Sequence, residues 1–138
     1  MFTALGAFVA CGGGGGTTTP TGTNSGVVAG SVGATVSLTA TGATPLEVRI
    51  QPTQRVRFVN TDSRPHQVQT NPHNLHTDCP PNNVIVLNPG QSVDTGVFND
   101  VKTCGYHNHL LPDDQTFWGT IRVGASDDTK GPVYSKGW

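Results

Sequence analysis

Charge is scarce in this chain. Only 12% of its 138 residues are charged, and 8 basic against 9 acidic side chains leave a net charge of −1. That balance gives no electrostatic footprint for nucleic acid. Apart from Cys11, no side chain before Glu47 ionises. Methionine is confined to Met1. No stretch sustains a helical period of apolar residues, so an amphipathic helix is not expected. Nor does any segment carry the roughly 20 apolar residues that span a bilayer. No internal repeat is visible, and the length suits one ordinary domain.

What is present falls into blocks. Residues 1–11, MFTALGAFVAC, read as the apolar part of a signal peptide ending in small residues. The stretch FVAC resembles the lipobox of bacterial lipoproteins. The resemblance implies a lipid on Cys11 and a membrane anchor in the cell envelope, facing the periplasm or the outer cell surface. Residues 12–30 open with GGGGGTTTPTGTNSG, which offers no apolar side chain to pack. They read as a flexible linker, whose first 15 residues would reach roughly 20 Å as a coil. A polar tail occupies 126–138.

Between them, residues 31–125 read as an all-β domain. ATVSLT (34–39), LEVRI (46–50), RVRFVN (55–60), HQVQT (66–70), VIVL (84–87), SVDTGVF (92–98) and WGTIRV (118–123) are short and rich in β-branched and aromatic residues. In RVRFVN, Val56 and Phe58 share one face while Arg55 and Arg57 share the other. Turn formers at 41–45, 60–65 and 88–90 separate the runs. Seven or so short strands of this kind predict a β-sandwich or small barrel.

All five histidines, His66, His73, His76, His107 and His109, lie close together in sequence with Cys79 and Cys104. Imidazole and thiolate together select Cu, Zn or Fe over Mg or Ca. Cys104 and His107, read as part of a loop leading to the last strand, could bend around one ion. His66, from a different strand, could complete a trigonal set. Pro72, Pro80 and Pro81 argue against a helix over His73-x-x-His76-x-x-Cys79, so residues 71–83 read as a loop. His73 is expected to face solvent.

Residues 45–123 are similar to the cupredoxins, the plastocyanin-like blue copper proteins. PLEVRIQPTQRVRFVNTDSRPHQV resembles the strand pair leading to the family's first copper histidine, and KTCGYHNHLLPDDQTFWGTIRV resembles its ligand loop and final strand. The resemblance implies a Greek-key β-sandwich of seven or eight strands. It also implies copper held by His66, the Cys104 thiolate and His107, with Asn60 and His76 as supporting neighbours. The implied role is one-electron transfer to redox protein partners by a monomer that is not an enzyme. Leu110, Leu111 and Pro112 are expected to form the docking patch.

Two departures open alternatives. No methionine follows His107, so His109, Gln115 or a backbone carbonyl is left for the fourth position. If Cys11 carries lipid, parity suggests a Cys79–Cys104 disulfide. That bond would remove the thiolate and leave an all-histidine site from His66, His107, His109 and His76. A copper carrier or sensor would then fit better than an electron shuttle. A metalloenzyme or a metal-free interaction module of the same fold are further rivals.

Overall fold

A computed structural model describes residues 28–124. The apolar start, Cys11, nearly all of the glycine-rich linker and the polar tail lie outside the described residues.

Eight strands follow one another: β1 (Val32–Thr39), β2 (Gly42–Thr44), β3 (Glu47–Ile50), β4 (Arg55–Asn60), β5 (Val68–Thr70), β6 (Ser92–Asp94), β7 (Lys102–Asn108) and β8 (Gly119–Val123). They form two four-stranded sheets, ordered β2-β1-β4-β6 and β3-β8-β7-β5. β1 and β4 run parallel, as do β3 and β8, while the remaining pairs are antiparallel. The expected β-sandwich is present.

Alternation drives the packing. β4 buries Val56, Phe58 and Asn60 and turns Arg57 outward, where it pairs with Asp94 across to β6 at 2.6 Å. Val36, Leu38, Val48, Ile50, Phe58, Tyr106, Ile121 and Val123 meet in one core between the sheets. Tyr106 lies edge-on to Phe58, with ring centroids 5.4 Å apart. Its ring also lies where a side chain at residue 119 would stand, which requires the glycine found there.

Three local expectations are corrected. VIVL joins neither sheet; it meets its neighbours through an isolated bridge between His66 and Leu87 and a backbone bond from Val84 to Val68, and Ile85 and Val86 face solvent. Part of the expected turn at 41–45 is strand β2, folded back on β1. Most important, residues 102–108 form a continuous strand, not a loop: β7 is laddered to β8 from Lys102 to Tyr106 and to β5 from Tyr106 to Asn108.

Candidate metal centre

The strand nature of β7 decides what Cys104 and His107 can do together. Side chains alternate along a strand, so residues three apart point to opposite faces. Cys104 and Tyr106 point into the core between the sheets. His107 lies on the other face. Cys104 is bonded to Cys79, 25 residues away, and so presents no thiolate. The set of His66, Cys104 and His107 around one ion is therefore not formed.

His66 is accounted for elsewhere. It is fully buried; its Nε2 lies 3.0 Å from Asp62 Oδ2, and its Nδ1 lies 2.8 Å from Asn108 Nδ2. Asn108 Oδ1 accepts backbone N–H groups from Gln67 at 3.0 Å and Leu110 at 3.3 Å. That fixes the amide, so Nδ2 donates to His66 Nδ1, and His66 Nε2 carries the proton donated to Asp62. Neither imidazole nitrogen has a spare lone pair. Burial alone would raise the Asp62 pKa, but hydrogen bonds from His66, Arg64 and the Ser63 backbone outweigh it and hold the carboxyl at about 2. Asn60, expected near the metal, instead donates to the carbonyls of Arg64 at 2.8 Å and Leu87 at 2.9 Å and anchors this turn. Phe117 stacks at a tilt on His66, with ring centroids 4.7 Å apart. Gln115 opens a short 3-10 turn over Gln115–Phe117 and is exposed.

The other four histidines converge. His73, His76, His107 and His109 each offer a ligand nitrogen, and these four nitrogens all lie within 4.8 Å of one another. Ring centroids of the six pairs are 4.8 to 6.3 Å apart. His107 ends its strand face, and His109, two residues on, has the same parity. Its backbone N–H is held by the Gln67 carbonyl at 2.7 Å. His73 and His76 arrive from the loop between β5 and the disulfide, folded back so that the His76 N–H reaches Pro72 O at 2.9 Å. His76 has φ of 50°, a left-handed backbone uncommon outside glycine and asparagine.

Neighbouring groups orient the donors. His107 Nδ1 lies 3.0 Å from Asn71 Oδ1, an acceptor, so the ring proton sits on Nδ1 and the Nε2 lone pair faces inward. That lone pair meets His73 Nδ1 at 3.1 Å. His76 Nε2 and His109 Nδ1 are buried without a hydrogen-bond partner. Burial pushes the His107 pKa down to about 4, reinforced by repulsion from His73, His76 and His109. Burial, then His109 and His73, lower that of His76 as well. These two rings are neutral at neutral pH, the state in which imidazole binds metal.

A metal ion fits this set. Buried, unpartnered nitrogens aimed at a common centre lack the partner that buried polar groups normally have. Bonds of about 2.0–2.1 Å would set four nitrogens roughly 3.4 Å apart around a tetrahedral ion, a modest closure. An all-imidazole set suits Cu and Zn and offers little to Mg or Ca. His107 and His109 were legible from sequence as ligands, and His76 as an alternative. His73, read as solvent-facing, and Asn71 were not; the signal for His73 was its three-residue spacing from His76 on one loop.

Fold comparisons agree with the architecture. A purple cupredoxin from Nitrosopumilus maritimus superposes with a TM-score of 0.53 at 22% identity, covering 66% of this chain and 99% of its own. The chain is a cupredoxin-fold protein. A reduced mutant of amicyanin matches with a TM-score of 0.53 at 16% identity, over 72% of this chain and 87% of amicyanin. Another amicyanin mutant, in its Cu(I) form, gives 0.50 at 17% identity over the same shares of 72% and 87%. No protein-family model and no curated protein matches this cupredoxin-fold chain.

Proposed function

We propose that this protein binds copper at His73, His76, His107 and His109 and acts as a copper carrier or sensor, performing no bond chemistry of its own. The convergence of four imidazole nitrogens within 4.8 Å carries the reading. Two of the four ligands sit on a loop and three of the rings are partly exposed, which favours an ion that can be loaded and released. The copper forms named among its fold neighbours support copper over zinc. The disulfide supports an oxidising compartment. Together with FVAC preceding the linker, it supports our reading of a cell-envelope protein held to the membrane by a lipid on Cys11.

When bound, copper would supply a redox-capable charge. The chain's own contribution is to bring four imidazole nitrogens together, fix the His107 tautomer through Asn71 and exclude thiolate. One-electron transfer is the second reading, favoured by the reduced and Cu(I) states of the fold neighbours. Leu110, exposed beside His109, would then meet redox partners. Titration of the metal-free chain with Cu(II), with metal content measured after gel filtration, tests the site. One equivalent of copper per chain, lost on replacing His73 and His107 with alanine, is expected. Unchanged binding in that double variant would overturn it. Fast transfer of copper to a competing chelator, with slow electron self-exchange, separates carrier from shuttle.

A further inference from the structure

The four ligands divide into two pairs that are held in different ways. His107 lies on β7, which is laddered to β8 and β5, and His109 follows in the turn directly after it, its N–H held by the Gln67 carbonyl. His73 and His76 depend on the loop that joins β5 to Cys79. The loop's start is well held: the Asn71 N–H and the Thr70 hydroxyl both donate to Gly105 O, at 3.2 and 3.1 Å. Its far end rests on one backbone bond, Asp78 N–H to Asn71 O at 2.9 Å, on the Cys79 N–H to Thr70 Oγ1 at 3.1 Å, on the Asn83 amide donating to the His76 carbonyl at 2.9 Å, and on Lys102, which donates to the Asp78 carbonyl and pairs with its carboxylate at 3.1 Å. An ion pair of that kind contributes little. The covalent hold is the bond from Cys79 to Cys104.

We propose that the Cys79–Cys104 disulfide is a redox lock on the histidine site, opened by a dithiol reductant and weakening metal binding when open. The inference rests on the four-imidazole reading above. With the bridge cut, metal binding must itself order the segment carrying His73 and His76, and that conformational entropy is subtracted from affinity. The lock and the ligands occupy opposite faces of β7. The bridge can therefore be opened without first displacing the ion.

A small recess borders the bridge, whose two half-cystines are themselves buried, so the recess must widen for a thiolate to reach them. It is lined by both half-cystines together with Pro81, Phe98, Asp100 and Lys102. A thiolate of the dithiol attacks Sγ of Cys79, the sulfur–sulfur bond breaks, and Cys104 leaves as a thiolate that takes up a proton. The second thiol of the reductant then displaces Cys79 from the mixed disulfide. The bridge gains two electrons and two protons, and the dithiol becomes a disulfide.

Zn(II) is the probe, because it has no redox chemistry of its own. Titration of the oxidised full chain and of a Cys79→Ala/Cys104→Ala variant, its fold checked by circular dichroism, should show affinity at least tenfold weaker in the variant. Equal affinity in a folded variant overturns the lock. Reciprocity supplies a test on the native chain. In glutathione redox buffers with free Zn(II) clamped by a chelator, the ion should disfavour reduction by the same factor, about 30 mV per tenfold for this two-electron couple. No shift, or a shift favouring reduction because freed thiols join the ion, overturns the proposal. A native oxidised chain that takes up no Zn(II) or Cu(II) removes the metal reading itself, an outcome visible in the first titration alone.

Discussion

Cys104 and His107 stand three residues apart on β7 and face opposite sides of their sheet, one bonded to Cys79 in the core and the other joined to His73. A spacing that would bring sulfur and nitrogen together on a loop separates them on a strand.

The first expected consequence is spectroscopic. The Cu(II)-loaded protein should lack the intense thiolate-to-copper band. Its electron paramagnetic resonance should show the wide copper hyperfine splitting of a nitrogen-ligated tetragonal ion. An intense blue or purple colour would mean that a sulfur ligates the metal.

His66 and His107 should respond to alanine in opposite ways. His66→Ala leaves Asp62 and Asn108 short of partners in a buried site and should lower stability by about 2–4 kcal/mol in urea unfolding. Metal stoichiometry should survive wherever the variant stays folded. His107→Ala should reduce metal affinity by more than about a hundredfold, beyond the loss typical of outer partners.

Asn71 should matter without touching the ion. Asn71→Ala removes the acceptor that holds the His107 proton on Nδ1 and should weaken metal binding by about 10–100-fold. Asn71→Asp keeps an acceptor there and should restore much of it. Competition with a chromophoric chelator measures both.

The metal-free domain should lose stability as pH falls through mild acid. The folded-state pKa of His107 is depressed to about 4, by burial first and then by the neighbouring histidines. The unfolded chain, with an ordinary histidine pKa of about 6.5, therefore binds more protons between those values. Stability contributed by neutral His107 is complete above about pH 6.5 and falls away toward pH 4, by on the order of 3 kcal/mol. Urea unfolding across this range should show the slope, and His107→Ala should flatten it. Asp62, held at about 2, adds a second loss only at still lower pH.

Much of the fold was legible because half-buried strands alternate. RVRFVN shows its two faces in the sequence, and β4 has them. VIVL was misread because a continuous apolar run carries no parity; its backbone-to-backbone pairing is an isolated bridge and one further bond, and side chains of Asn60, Gln67 and Gln69 take up its carbonyls. β7 escaped because Lys-Thr-Cys-Gly-Tyr-His-Asn has neither apolar alternation nor a run of β-branched residues, and its ladder comes from neighbours on both sides. That misreading propagated to the site. With residues 104–109 as a loop, Cys104 and His107 could share an ion; with 102–108 as a strand they face opposite sides, and His107 is joined instead by His109 from the turn that follows. The return of the loop bearing His73 and His76 over that face is a tertiary event, set by Asn71 and the disulfide, and no local pattern announces it.

Asn108 sits between His107 and His109, and its carboxamide, pinned by two backbone N–H groups, cannot turn over. A single uncharged side chain thus sorts three imidazoles: it silences the one at residue 66 while spacing those at 107 and 109 for use. The histidine cluster lies across β7 from Cys104. Building a metal site in the interior would have to begin by freeing His66 from residue 108.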